Sequence, residues 1–218
     1  MKNIKAVIFD MDGVIIDSEP LYYTIQNKLF NDLGFSISKS KYDTFIGAGM
    51  QLMWKRLSSK HNLPFTIEQL IKMNNDLIYK TFNSSDSLRA TEGFTSFLTS
   101  VKDMGMKTAV ASSTSKKIIN VILSRLGILQ EFDVIISSEE VLQGKPEPDI
   151  FLETATRLNI DPANCIVVED STNGVNAAKR AGMKCIGFSN INSGNQNLSS
   201  ADIIVNSFFD INLKKLDL

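Results

Sequence analysis

The sequence predicts an α/β fold, a doubly wound parallel sheet into which an all-helical domain is inserted. Three observations carry this prediction. Short, nearly continuous apolar runs recur along the chain, as in AVIF, VIIS and CIVVE. From residue 92 onward they alternate with single amphipathic helical patterns. Strands apolar on both faces belong to parallel sheets covered by helices on both sides. Between residues 18 and 86, by contrast, helical patterns succeed one another with no strand between them.

Taken in order, KAVIFD has the character of a central strand. Behind Ser18, a plausible N-cap, Leu21, Ile25, Leu29 and Leu33 recur every fourth residue until Gly34 ends the helix. KSKYDTFIG, MQLMWKRLSSK and TIEQLIKMNNDLIYKTF continue as helices, whose Met, Trp and Phe side chains are expected to form a core of their own. The links to the sheet fall near Asp17 and at NSSDSLRA, a polar stretch suited to a hinge. The expected division is therefore residues 1–16 and 87–218 for a discontinuous Rossmann-like α/β domain and 17–86 for an inserted helical domain.

In TEGFTSFLTSVKDMG, Phe94, Phe97, Leu98 and Val101 share a helix face, and Gly105 comes next as the C′ residue. KTAVASS is a strand, and TSKKIINVILSRLG a helix with Ile118, Val121, Ile122 and Leu126 on one face. DVIIS, CIVVED, KCIGF and ADIIV read as strands. DIFLETATRLN, NGVNAAKRAG and SFFDINLKKL read as helices.

A chain of 218 residues with 43% apolar and 22% charged residues buries a sizeable core. Its net charge of −1 provides no general attraction to nucleic acid or to an anionic membrane, so any bound anion must be held by a few local groups. No apolar stretch approaches the ~20 residues that span a bilayer, and the start of the chain has no signal-peptide pattern. A cytoplasmic, monomeric protein is expected. Cys165 and Cys185 each open an apolar run without a CxxC or Cys/His cluster, which points to buried free thiols. His61, the single histidine, lies in the polar stretch SSKHNLPF and is expected to be a solvated surface side chain.

In an open parallel sheet, ligands bind beyond the carboxyl ends of the strands. The strand ends of this chain lead, in turn, into Asp10-Met11-Asp12-Gly13, Ser112-Ser113-Thr114, Gly144-Lys145-Pro146 and Glu169-Asp170-Ser171. Each segment by itself has a purely structural reading. Asp-Gly makes turns, Ser112 and Ser113 suit a turn or cap, Lys145 suits a solvated loop, and Asp170 or Ser171 suits an N-cap. Their convergence on one rim is what suggests chemistry.

A carboxylate that attacks a phosphate dianion meets like-charge repulsion, and a Mg²⁺ held by acidic oxygens removes it. A hydroxyl, backbone N–H groups and a lysine hold the phosphoryl oxygens, while a second carboxyl protonates the leaving alkoxide. Asp10 suits the nucleophile, Ser112 and Lys145 the phosphate site, Asp170 the metal and Asp12 the acid/base.

These segments resemble the four motifs of the haloacid dehalogenase-like superfamily, in the subgroup that includes beta-phosphoglucomutase and many small-metabolite phosphatases. The matching segments are DMDGVIIDSEP, VASSTS, GKPEPDIF and VEDSTNGVNAAKRAG, and the likeness runs over nearly the whole chain. The resemblance implies that Asp10 carries an aspartyl-phosphate and that Asp12 is the acid/base. It implies Mg²⁺ on Asp10, the Asp12 carbonyl and Asp170 with Glu169 close by, and a phosphate site of Ser112, Ser113 and Lys145. The helical insert then corresponds to a cap that closes over a small phosphorylated substrate. Dehalogenases and phosphonate-cleaving members lack an acid at the position of Asp12, so phosphoryl transfer to or from oxygen is expected.

Three activities are compatible with that set: a phosphatase acting on a sugar or polyol monophosphate, a beta-phosphoglucomutase, and a non-catalytic regulator. Beta-phosphoglucomutases carry cations at three cap positions that align here with Tyr22, Met50 and Asn74, none of them cationic. Lys55, Arg56 and Lys72 are the nearby substitutes. The phosphatase is the preferred reading, and a regulator fits poorly because every residue the chemistry requires is present.

Overall fold

The computed structural model describes residues 4–46, 49–85 and 88–213. Six strands form one parallel sheet in the order β3-β2-β1-β4-β5-β6. They are β1 (Ala6–Phe9), β2 (Lys107–Ser112), β3 (Val134–Ser137), β4 (Cys165–Glu169), β5 (Lys184–Phe188) and β6 (Ile203–Val205). The central β1 pairs with β2 on one side and β4 on the other, with Phe9 opposite both Val110 and Val168. The chain order therefore reverses at β1, which opens a crevice at its carboxyl end.

Alternation along the strands distributes the core between two faces. Val7, Phe9, Val110 and Val168 pack with α5 (Phe94–Asp103) and α6 (Lys116–Arg125). Ala6, Ile8, Ala111, Val167 and both cysteines pack with α7 (Asp149–Leu158) and α8 (Thr172–Arg180). Cys165 and Cys185 are free and buried, and burial raises both thiols, Cys165 to about 11.

The inserted helices are α1 (Glu19–Asp32), α2 (Lys39–Asp43), α3 (Met50–His61) and α4 (Ile67–Ser84). Leu29, Phe30, Phe45, Met53, Trp54 and Leu70 form a separate apolar cluster among them, with Phe30 edge-on to Trp54 at 5.6 Å. Ile25, Ile78 and Phe82 join the main core instead, so the base of the insert is continuous with the sheet layer. The expected boundary between residues 86 and 87 lies outside the described residues.

Three local expectations are corrected. Ser18 occupies the N-cap position of α1 in helical backbone and makes no side-chain cap. Pro20 in the first turn has no N–H to satisfy, which lessens the need for one. His61 is half-buried rather than solvated: its ring stacks on Phe35 at 4.2 Å, because the end of α3 folds against the segment after α1. In place of the last expected helix, a single 3₁₀ turn spans Phe208–Asp210, where Phe208 anchors itself against Phe94, Phe97 and Phe188. The remainder of that expected helix, residues 214–216, lies outside the described residues. Among the described residues, no helix is long and apolar enough to cross a membrane.

Candidate active site

The strand register assembles the site. Asp10 directly succeeds Phe9, so it emerges beside Ala111 of β2 and Glu169 of β4, and its N–H donates to the Val168 carbonyl at 2.9 Å. Ser112 ends β2, Glu169 ends β4 and Asp170 comes directly after it. Asp10, Asp12, Ser112, Ser113, Lys145, Glu169 and Asp170 all line one cleft of about 460 Å³, which α1, α3 and α4 roof over.

Lys145 reaches in from the loop before α7, and its side chain is only 4% exposed. Its ammonium donates to the Asp10 carboxylate, to Glu169 at 2.7 Å and to the Ala111 carbonyl at 3.1 Å. Burial by itself would lower this lysine, but Asp10 and Glu169 outweigh it and hold the ammonium above its ordinary value. The other Glu169 oxygen accepts from the Ser171 N–H at 2.6 Å and from its hydroxyl at 2.9 Å. Ser171 Oγ in turn caps α8 at the Gly174 N–H. Ser171 is thus the N-cap of α8 and at the same time a hydrogen-bond donor to the acidic cluster.

Asp10, Glu169 and Asp170 each offer one carboxylate oxygen within 4.8 Å of the others, and all three are buried. Burial is the largest influence on Asp10 and raises it to about 7, against the opposing pull of Lys145. Asp170 is raised well above the carboxylate range by burial, then by Glu169 and Asp10. When ionised, these three carboxyls facing one ammonium carry an excess of two negative charges, a donor set of hard oxygens that suits a divalent cation. Two glycines make room for this cluster. A Cβ on Gly13, whose φ is +81°, would stand 1.9 Å from Asp170 Oδ2, and one on Gly174 would stand 1.7 Å from Glu169 Oε1.

Several supporting residues escape a reading of the sequence alone. Asp12 accepts hydroxyl hydrogen bonds from Ser18 and from Thr114, both at 2.7 Å. Ser193 donates to Asp170, while Asn190 donates to the Gly13 carbonyl at 3.0 Å and Asn192 to Asp17 at 2.6 Å. The loop after β5 thus ties the cluster to the start of the insert. Ser18 and Thr114 lie inside two of the four motifs, where adjacency to Asp12 and Ser112 is an available signal; Ser193 carries none. Ser113 is exposed at the rim, and Ser112 Oγ accepts from the Thr114 N–H at 3.1 Å.

In the roof, Tyr22 and Met50 line the cleft, whereas Asn74 is fully buried behind it and donates to Met50 Sδ at 3.1 Å. Lys55, Arg56 and Lys72 are exposed and do not line it. Glu19 does, and burial together with the charge of Asp12 raises its carboxyl to about 7.

Residues 7–188 match the family model of haloacid dehalogenase-like hydrolases. The chain is 34% identical over 187 residues to a phosphorylated carbohydrates phosphatase of Thermotoga maritima, an alignment covering 84% of each protein. Crystallographic beta-phosphoglucomutase from Clostridium difficile superimposes with a TM-score of 0.80 at 31% identity, over 97% of this chain and 94% of that one. CbbY from Rhodobacter sphaeroides in complex with phosphate gives a TM-score of 0.87 at 25% identity, over 99% and 100%. With its parallel sheet, its helical insert and its acidic cluster at the switch point, the chain belongs to the haloacid dehalogenase-like hydrolases, in their beta-phosphoglucomutase-like subgroup.

Proposed function

We propose that this phosphoric monoester hydrolase releases inorganic phosphate from a small phosphorylated metabolite, a sugar or polyol monophosphate, by way of a phosphoryl group carried on Asp10. The observation that carries this reading is the buried meeting of Asp10, Glu169 and Asp170 with Lys145 as their sole close ammonium among the described cleft residues. Asp10, the Asp12 carbonyl and Asp170 would hold Mg²⁺, which when bound offsets the charge that otherwise keeps a carboxylate from a phosphate dianion. Glu169 has both oxygens engaged, by Lys145 and by Ser171, and serves chiefly to hold that lysine in place.

A carboxylate oxygen of Asp10 attacks phosphorus, and the ester P–O bond breaks. The departing alkoxide takes a proton from Asp12. Water then gives its proton to Asp12, and its oxygen displaces Asp10 from phosphorus, which frees orthophosphate. Lys145 and the Ser112 hydroxyl balance and orient the phosphoryl oxygens, with Ser113 at the rim. The inserted helices, residues 17–86, act as the cap that limits water access and selects the alcohol half of the substrate.

The mutase reading requires a cationic anchor for a second phosphate. Neither Tyr22 nor Met50 provides one in the cleft, Asn74 lies behind it, and Lys145 is the one cation among the described lining residues. Phosphate release from a panel of monophosphates, without any bisphosphate activator, tests the proposal. Activity should disappear with EDTA and return with Mg²⁺. Asp10→Asn should fold normally and be inactive; more than a few per cent of wild-type turnover would exclude Asp10 as nucleophile. Conversion of beta-glucose 1-phosphate to glucose 6-phosphate faster than phosphate release would establish the mutase instead.

A further inference from the structure

We propose that Gln26 and Asn75 are specificity-determining residues that bind hydroxyl groups of the alcohol half of the substrate, selecting a neutral, hydroxylated leaving group over one with a second anionic group. The proposal rests on the phosphatase reading and goes beyond it by identifying the side chains that choose the substrate.

The roof of the cleft consists of two facing helical stripes. Glu19, Tyr22 and Gln26 are spaced three and four residues apart on α1, and Ile71, Asn75 and Ile78 four and three apart on α4. Such spacing aims each set at one side of its helix. The rest of the roof is largely apolar, with Phe45, Ile46, Met50 and Met53.

Of the buried polar atoms without a partner on the roof helices, two belong to residues that line the cleft. Gln26 is 7% exposed, and its Oε1 is buried without a hydrogen bond. Asn75 Oδ1 is likewise buried and unpaired. Buried carbonyls are nearly always satisfied, and it is the combination of a missing partner with a place in the cleft lining that puts Gln26 and Asn75 in position to accept from a ligand. Asn74, the neighbouring amide, does not line the cleft: it gives its Nδ2 to Met50 Sδ, and its Oδ1 is unpaired as well. Its position on α4 separates a packing amide from a cleft amide.

The chemistry of the missing partner is set by what these groups accept. A phosphate dianion or a carboxylate has no hydrogen to donate to an amide carbonyl. Either would also enter a roof that, among the described lining residues, holds the Glu19 carboxyl and no cation to balance an added negative charge. A hydroxyl donates to the carbonyl and also accepts from an amide N–H, so it satisfies these side chains in either amide orientation. The C–H edges of a polyol or sugar pack against the Met, Ile and Phe walls.

The test is phosphate release by the full chain with Mg²⁺ from glucitol 6-phosphate, propyl phosphate and phosphoglycolate. Wild-type kcat/KM should favour the polyol ester by at least ~100-fold over either of the others, since a site built to bond hydroxyls rejects analogues that lack them. Gln26→Met and Asn75→Leu should each cut that preference about 10-fold, as expected for one lost hydrogen bond. The loss should fall on the polyol ester while propyl phosphate turnover holds or rises, which also reports that each variant is folded. Equal wild-type rates on polyol and propyl esters, or an unchanged preference in both variants, would overturn the proposal. If no ester is hydrolysed, calorimetric affinities of the same compounds decide. Tighter polyol binding that Gln26→Met abolishes would uphold the subsite and sink the phosphatase reading, while equal affinities would sink both.

Discussion

At the scale of single residues, the acid/base candidate is held more firmly than its motif suggests. Asp12 accepts one hydroxyl from Ser18 at the foot of the insert and another from Thr114 after β2, both at 2.7 Å. Hydrogen bonds to a charged group contribute ~1.5–3 kcal/mol each. Ser18→Ala or Thr114→Val is therefore expected to lower kcat roughly 10-fold to 100-fold with little change in KM, because the carboxyl is misplaced for both proton transfers. Unchanged kcat in both variants would show that Asp12 needs neither bond. Gly13 is equally constrained, with φ +81° and Asp170 where a Cβ would go. Gly13→Ala should displace Asp170, so that Mg²⁺ no longer raises the melting temperature even where the protein still folds. Asp10, Asp12, Lys145 and Asp170 were legible in the sequence because strand ends place them at one rim. Ser193 was not, since nothing in a loop sequence reveals that its hydroxyl will reach Asp170.

At the scale of elements, hydrophobic periodicity identified the strands and the long helices well. In α5, Phe94, Phe97, Leu98 and Val101 are all buried, as their spacing predicts. Sequence periodicity fared less well where tertiary contacts override local pattern. The helix expected at the last polar stretch reduces to a 3₁₀ turn because Phe208 is drawn into the aromatic cluster of the main core. The start of α4 is a case of strong local control. Thr66 and Gln69 form a reciprocal capping box, with bonds of 2.9 and 3.2 Å. Thr66→Ala should lower unfolding stability by ~1 kcal/mol in a urea melt, the usual value of an N-cap hydroxyl. Thr66 lies outside the cleft, so KM should not move. A change in KM would mean that the register of α4, and with it Asn75, had shifted.

At the scale of the whole molecule, folding concentrates negative charge at the switch point, and stability should depend on pH and metal together. Asp10 is raised from 3.8 to about 7 by burial, and Asp170 is raised with it. Between those values the folded protein keeps protons that the unfolded chain has released. The stability that Asp10 contributes in this way is full below 3.8 and is lost as pH rises through about 7, and Asp170 acts in the same direction. A divalent cation replaces the missing protons. The rise in melting temperature on adding Mg²⁺ should therefore be larger at about pH 8 than at about pH 5. An equal rise at both would mean that the cation binds elsewhere. By itself the sequence determined the layer architecture, since fully apolar strands alternating with amphipathic helices can bury both sheet faces in only one way. It also determined which strand ends carry acid, hydroxyl and lysine. Only the tertiary structure decided that Glu169 serves Lys145, that Asn75 rather than Asn74 faces the cleft, and that His61 stacks on Phe35. Those outcomes depend on the rotation of a helix and on partners far away in the chain, and local pattern encodes neither.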